Sequence, residues 1–215
     1  LGQPAGFNYN EAGVPDYTLP ATLTFLDGTD VKTAKEWEEK RRDEVLELFQ
    51  EHVYGRIPQD VKVKMKWDVL EESNVALGGK AIRRQVRLYL NARDEEPYID
   101  VLIYLPKSVI HEKTGVPIFT GLNFSGNHTV VTENEVAVHG KWARNDGRLG
   151  HENNKANEGS RGKSASRWQA EMLIDNGFGL ATAYYGDIDP DFDDSWENGV
   201  HSLFASSRNL QGGDW

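Results

Sequence analysis

Three nearly unbroken apolar runs, residues 98–105, 116–122 and 178–185, constrain the fold of this chain more than anything else in it. Each is strand-sized and apolar at both parities, the pattern expected of strands buried on both faces of a mostly parallel sheet. Upstream, Val61, Val63, Met65 and Trp67 alternate with lysines, and Val86, Leu88 and Leu90 alternate with polar residues. Those two stretches read as half-buried antiparallel partners. Between the last two apolar runs lies a polar loop of about 40 residues, far above the usual connection length, so a functional segment or an insertion is expected there. Ser166, Trp168, Met172, Leu173 and Ile174 then recur at helical spacing and stop at Asn176 and Gly177, a common way to end a helix.

Antiparallel strands followed by a right-handed strand, helix, strand crossover predict an α/β fold, a three-layer α/β/α sandwich of α/β-hydrolase type. In that fold a further helix and strand precede the nucleophile elbow, so the chain is expected to stop before it. Residues 1–30, rich in Gly, Pro, Asn and Asp, read as an extended arm lying over the body, with Tyr9, Tyr17, Leu19, Leu23 and Phe25 as its anchors. Thr33 and Glu36 have capping-box spacing, and Trp37, Val45, Leu48, Phe49 and Val53 then fall on one helix face, ended by Gly55 and Pro58. Residues 1–215 are thus expected to form the amino-terminal part of one catalytic domain, with the arm at 1–30 and the sheet and helices at 31–215.

The net charge of −10 argues against nucleic acid or an anionic membrane as partner, and the longest apolar run is too short to span a bilayer. No cysteine is present, which excludes thiol catalysis, thiolate metal sites and disulfides. The chain begins at Leu1 with no leader-like segment, so any signal peptide is expected to have been removed.

In open α/β sheets ligands bind beyond the carboxyl ends of the parallel strands, here the loops after Leu122 and after Tyr185. The first loop, 121–128, reads Gly-Leu-Asn-Phe-Ser-Gly-Asn-His; its glycines with Asn123 and Asn127 could aim backbone N–H groups at an oxyanion, or simply form a turn. Asn123 and Asn127 head two closely spaced glycosylation sequons, but a strand end is a poor place for a glycan. The second loop carries Asp187, Asp189 and Asp191 at alternate positions, yet Phe192 stands where a calcium loop needs Gly and Asn198 where it needs Glu. Helix N-caps and ion pairs with Arg161 or Arg167 are the expected uses of these acids. Residues 159–164, Gly-Ser-Arg-Gly-Lys-Ser, lack the first glycine of a phosphate loop, because Asn157 occupies its place. His128, His139 and His201 lie near the proposed crevice, where a hydrogen-bonded structural role competes with a catalytic one. No serine elbow exists, so no Ser-His-acid triad can be assembled from these residues.

The strings Gly-Leu-Asn-Phe-Ser-Gly-Asn-His-Thr at 121–129, Arg161-Gly162 with Ala-Ser-Arg-Trp at 165–168, Ala-Tyr-Tyr-Gly-Asp-Ile-Asp-Pro-Asp-Phe at 183–192 and Asn-Gly-Val-His at 198–201 resemble the glucuronoyl esterase family of carbohydrate esterases. His-Val-Tyr-Gly-Arg at 52–56 is similar to the family's amino-terminal signature, so the likeness runs along nearly the whole chain, with Ser202 where many relatives carry Pro. The resemblance implies a secreted or periplasmic serine esterase that cleaves 4-O-methyl-glucuronoyl esters joining xylan to lignin, with no metal or organic cofactor. It also implies that the nucleophile, the acid, the catalytic His and the sugar-contacting residues lie beyond position 215. No catalytic residue is therefore assigned, and Asn123, Asn127, His128, Arg161, Arg167, Asp187, Asp189 and His201 are expected to shape the site. The expected partners are a glucuronoxylan ester and the carboxyl-terminal half of the same domain. A non-catalytic carbohydrate-binding or docking fragment is the alternative; the buried strand runs do not suit the β-sandwich usual for binding modules.

Overall fold

The computed structural model describes residues 6, 8–56, 63–91, 97–109, 115–192 and 198–203; Pro58 and Val61 lie outside these. The chain divides into two compact units, residues 1–57 and 58–214. The helix thus groups with the residues before it.

In the first unit the capping box forms as its spacing predicts: Thr33 Oγ1 accepts from the Glu36 N–H at 3.2 Å and Glu36 Oε2 accepts from the Thr33 N–H at 3.0 Å. Helix α1 follows without a break as Ala34–Glu36, a π turn Trp37–Arg41, Arg42–Phe49 and a second π turn Gln50–Tyr54. Gly55, at φ 75°, takes the left-handed conformation that stops it. The arm's anchors are not those expected. Phe25 is buried, but Tyr9, Tyr17, Leu19 and Leu23 are all exposed. A charged side chain fixes this segment instead: Arg41 is buried and donates to the Thr22 carbonyl at 3.0 Å and to Glu44 Oε2 at 3.0 Å. Glu44 Oε2 also accepts from the Leu26 N–H, and Lys40 Nζ sits 4.3 Å above the Phe25 ring.

The second unit is built on a sheet of β1 (Lys66–Val75), β2 (Ala81–Tyr89), β3 (Tyr98–Pro106), β4 (Ile118–Asn123) and β5 (Gly179–Tyr184), in the order β1-β2-β3-β5-β4. The expected β1/β2 pair forms, with Trp67 opposite Leu88 and Val69 opposite Val86, although Val63 and Met65 precede the strand. The expectation of a mostly parallel sheet is corrected. β3 runs antiparallel to both β2 and β5, and only β4 and β5 are parallel. The expected burial of all three runs on both faces also fails at β4, where Ile118, Phe119 and Leu122 are exposed, and continuous apolarity carries no information on strand direction.

The crossover from β4 to β5 contains α2 (Ala165–Trp168) and α3 (Ala170–Asp175), two short helices where one was expected. Gln169, left-handed at φ 46°, breaks them apart. This turns Ala170 and Ile174 into the core while Met172 stays exposed. Trp168 lies across β4 at Gly121, where any Cβ would stand 3.1 Å from its ring. The core gathers Leu102, Tyr104, Leu180, Ala170 and Ile174 with Val130, Val131 and Val136 of the long loop. That loop therefore works as a packing layer.

The opposite sheet face carries Val86, Leu88, Val101 and Ile103, half-buried, with Trp67, Val69, Ile118 and Leu122 exposed. Register sets Trp67 beside Leu88 and Val86 beside Val101 on that face. Within this unit the described residues form two layers, so the third layer of the expected sandwich is not among them. No helix among the described residues is long and apolar enough to cross a membrane.

Candidate functional site

β4 and β5 are parallel neighbours, so the loops that follow them leave the same end of the sheet. Asn123, the last residue of β4, is buried and uses its whole carboxamide: Nδ2 donates to Thr182 Oγ1 at 3.1 Å and to Asn127 Oδ1 at 2.7 Å, and Oδ1 accepts from the Gly126 N–H at 2.8 Å. Asn127 Nδ2 donates to the Asp100 carbonyl of β3 at 2.8 Å. The two asparagines therefore clamp the loop, and both N–H groups of the Asn123 carboxamide are used within it. Gly126, at φ 95°, has no room for a side chain, since a Cβ would meet the His128 ring at 2.9 Å.

Asp187 closes the turn after β5 and is buried. Its Oδ2 accepts from the Asp100 N–H at 3.0 Å. Lys141 Nζ stands 2.8 Å from Oδ1, an ion pair outside directed hydrogen-bond geometry, and His139 Nδ1 is 3.9 Å away. Lys141 also lies 3.9 Å over the Tyr98 ring, whose other cation is Arg87 at 3.7 Å. Arg87 in turn forks onto Asp100 at 2.7 and 2.8 Å. One acid thus ties β3, the long loop and the turn after β5 together.

His128 is fully buried, and Nε2 lies 2.7 Å from Ser160 Oγ. Ser160 gives its own proton to the Asn157 carbonyl, so the imidazole must donate through Nε2 and accept the His139 N–H at Nδ1. Burial, then the nearby Arg161, His151 and His139, hold its pKa down at about 4. This neutral, fixed ring is a structural strut.

Arg161 does not pair with the acidic loop. It forks onto Glu158 and donates to the Glu133 and Val136 carbonyls at 2.8 and 2.7 Å. Arg167 is exposed, with no acidic-loop partner among the described residues. The acids find other partners, Lys141 for Asp187 and Arg144 for Asp191 at 2.8 Å, while His201 Nε2 lies 3.9 Å from Asp189 Oδ2. The long loop reaches over the strand ends and brings its cations closer than Arg161. Lys141 and Arg144 therefore join His139, already expected near the crevice, beside the acids of the β5 loop, and only their position in the long polar loop hinted at those two.

Two hollows flank the turn after β5. One, of about 630 Å³, is bordered by Phe124, Ser125, Trp168, Tyr185 and Asp191. The other, of about 580 Å³, is bordered by Lys141, Trp142, Asp187, Phe192 and Asn198. Phe124 and Tyr185 touch across the first with ring centroids 5.3 Å apart, so the loops after β4 and β5 do meet in one crevice. Arg167 borders that crevice, whereas Asn123 and His128 are buried and not part of its lining. Among the described residues no group of three His, Asp or Glu could hold a metal ion.

No protein-family profile matches the chain. Carbohydrate esterase MZ0003, from an unknown prokaryotic organism, is 47% identical over 202 residues, which cover 94% of this chain and 45% of that protein. The chain is a homologue of this carbohydrate esterase. A promiscuous CE15 esterase from a marine bacterial metagenome superposes with a TM-score of 0.79 at 44% identity, over 98% of this chain and 51% of that one. The glucuronoyl esterase of Solibacter usitatus superposes with a TM-score of 0.81 at 38% identity, over 95% of this chain and 50% of that one. The chain thus spans about half the length of the relatives it matches.

Proposed function

We propose that this chain is the amino-terminal part of a serine-type carbohydrate esterase that hydrolyses 4-O-methyl-glucuronoyl esters linking xylan to lignin. The observation that carries the reading is identity of 47% along 94% of the chain to a carbohydrate esterase more than twice as long. In this reading the strand ends of β4 and β5 form one wall of the cleft, and the nucleophile, base and acid come from the rest of the domain. The Phe124–Ser125 stretch borders the crevice, whereas the Gly126 N–H is already given to Asn123. It is the part of the loop that could face a developing oxyanion. The remaining residues would also supply the third layer over the open sheet face, and secretion or a periplasmic location fits a polymeric plant substrate.

The test is hydrolysis of benzyl D-glucuronate. A polypeptide extended to the length of its relatives should turn the ester over, and the chain of 215 residues should not exceed background, because acyl transfer needs nucleophile, base and oxyanion donors together. Turnover by the isolated, mass-verified chain would sink the claim that the chemistry lies elsewhere. Saccharide binding without turnover by the extended protein would favour a binding or docking role.

A further inference from the structure

The two edges of the sheet are built differently. β1, at one edge, carries Lys66, Asp68, Glu71 and Glu72, and its register with β2 shifts between Val69 and Glu71. Charged side chains and a broken register are devices by which a permanent edge strand resists pairing with a further strand. β4, at the other edge, has neither. Its Ile-Phe-Thr-Gly-Leu-Asn at 118–123 holds no charged residue, and it pairs with β5 in unbroken register from Ile118 opposite Gly179 to Asn123 opposite Tyr184.

Backbone and side chains of β4 are both open. The Gly179 N–H donates to the Pro117 carbonyl at 2.8 Å. Successive residues of a strand turn their backbone groups to opposite sides, so positions 117, 119, 121 and 123 face β5. The N–H and C=O groups of Ile118, Thr120 and Leu122 therefore face the outer edge, where no strand among the described residues pairs with them. Ile118 and Leu122 are 44% and 48% exposed on the open sheet face. Phe119, 55% exposed, stands on the opposite face, edge-on to Phe178 with ring centroids 5.4 Å apart.

A strand that is apolar on both faces suits the interior of a sheet with a layer on each side. We propose that β4 is an interior strand of a wider sheet: a strand from the remainder of the same polypeptide pairs along its outer edge, while β1 stays the outer limit. The relatives supply the length for this, since the chain covers only 45% of one and 51% of another. A second copy of the chain fits less well, because edge-to-edge pairing would satisfy the backbone and leave Ile118, Phe119 and Leu122 uncovered. The remainder of the protein is long enough to bring both a strand and its flanking layers. This inference rests on the reading that the chain is part of a longer esterase, and it names the surface where the rest attaches.

Residue-resolved amide hydrogen exchange tests it, in the chain of 215 residues and in a polypeptide extended to the length of its relatives. In the shorter chain Phe119 and Gly121 should be protected by β5, and Ile118, Thr120 and Leu122 should exchange at least about a hundredfold faster. In the extended protein the outer three should slow to within about tenfold of the inner two. Outer amides already slow in the shorter chain would mean that its own residues or a second copy fill the edge, and would overturn the proposal. Outer amides still fast in the extended protein would overturn it too. If the shorter chain cannot hold its sheet, so that Phe119 and Gly121 are unprotected as well, the extended protein decides alone. There p-benzoylphenylalanine in place of Phe119 should photo-crosslink to residues beyond 215, and crosslinks confined to residues 1–215 count against the proposal. Ester turnover is a separate readout: an extended protein with a covered β4 and no activity sinks the esterase reading alone, and an active one with an open β4 edge sinks this inference alone.

Discussion

Lys141 and Asp187, separated by 46 positions in sequence, meet with Nζ 2.8 Å from Oδ1, and the Asp187 carboxylate is wholly buried. The backbone N–H of Asp100 satisfies the other oxygen. Removing the cation leaves a buried charge that its surroundings cannot solvate.

Lys141→Met should therefore destabilise the sheet unit by about 3 kcal/mol, the range seen when one member of a buried pair is removed. Lys141→Met combined with Asp187→Asn should recover part of that loss, because the uncompensated charge has gone. Urea unfolding of both variants checks this; a double variant no more stable than Lys141→Met would show that charge is not the cause.

Acid should loosen the long loop before the carboxylates titrate. Burial depresses the pKa values of His128, His139 and His151 in the folded state, His128 to about 4. The unfolded chain then binds more protons below about pH 6.5, so stability is complete above that value and falls as the pH drops toward 4. For His128 the loss is on the order of 3 kcal/mol between those limits. Denaturation midpoints at pH 7.5 and 5 measure it, and His128→Gln should flatten the dependence; an unchanged pH profile in that variant would refute the assignment.

Asn123→Ala should cost about 2–4 kcal/mol, since it strips hydrogen bonds from the Gly126 N–H, Thr182 and Asn127 at one buried point. Amide exchange in residues 123–130 should speed up well beyond the global change. If the exchange rates there follow global stability alone, the asparagine is not a local clamp.

The open sheet face makes the chain sticky by itself. Trp67, Val69, Ile118 and Leu122 are exposed on it, and β4 stands at the sheet edge, a combination that favours association. The chain should bind a dye such as anilinonaphthalene sulfonate strongly, and the extended polypeptide should lose most of that signal. Equal dye binding by both would mean that the rest of the protein does not cover this face.

The sequence by itself determined the features that depend on near neighbours. Thr33 and Glu36 are three residues apart, so their capping box is fixed by helix geometry wherever the helix packs. The apolar runs at 98–105, 116–122 and 178–185 are short and β-rich, and each contributes a strand, although β4 stays largely exposed. The run of motifs from 121 to 201 likewise identified the relatives from local identity alone. Only tertiary structure decided strand direction, which depends on how the chain returns between strands and leaves no mark in hydrophobicity. It also decided charge pairing. The spacing of Arg161 and Arg167 gave no hint that Glu158 would occupy the first, nor that Lys141 and Arg144 would reach the acids of the β5 loop. Ion pairs between distant segments form wherever folding brings opposite charges to the same low-dielectric spot, and that spot exists only once the long loop has packed across the strand ends.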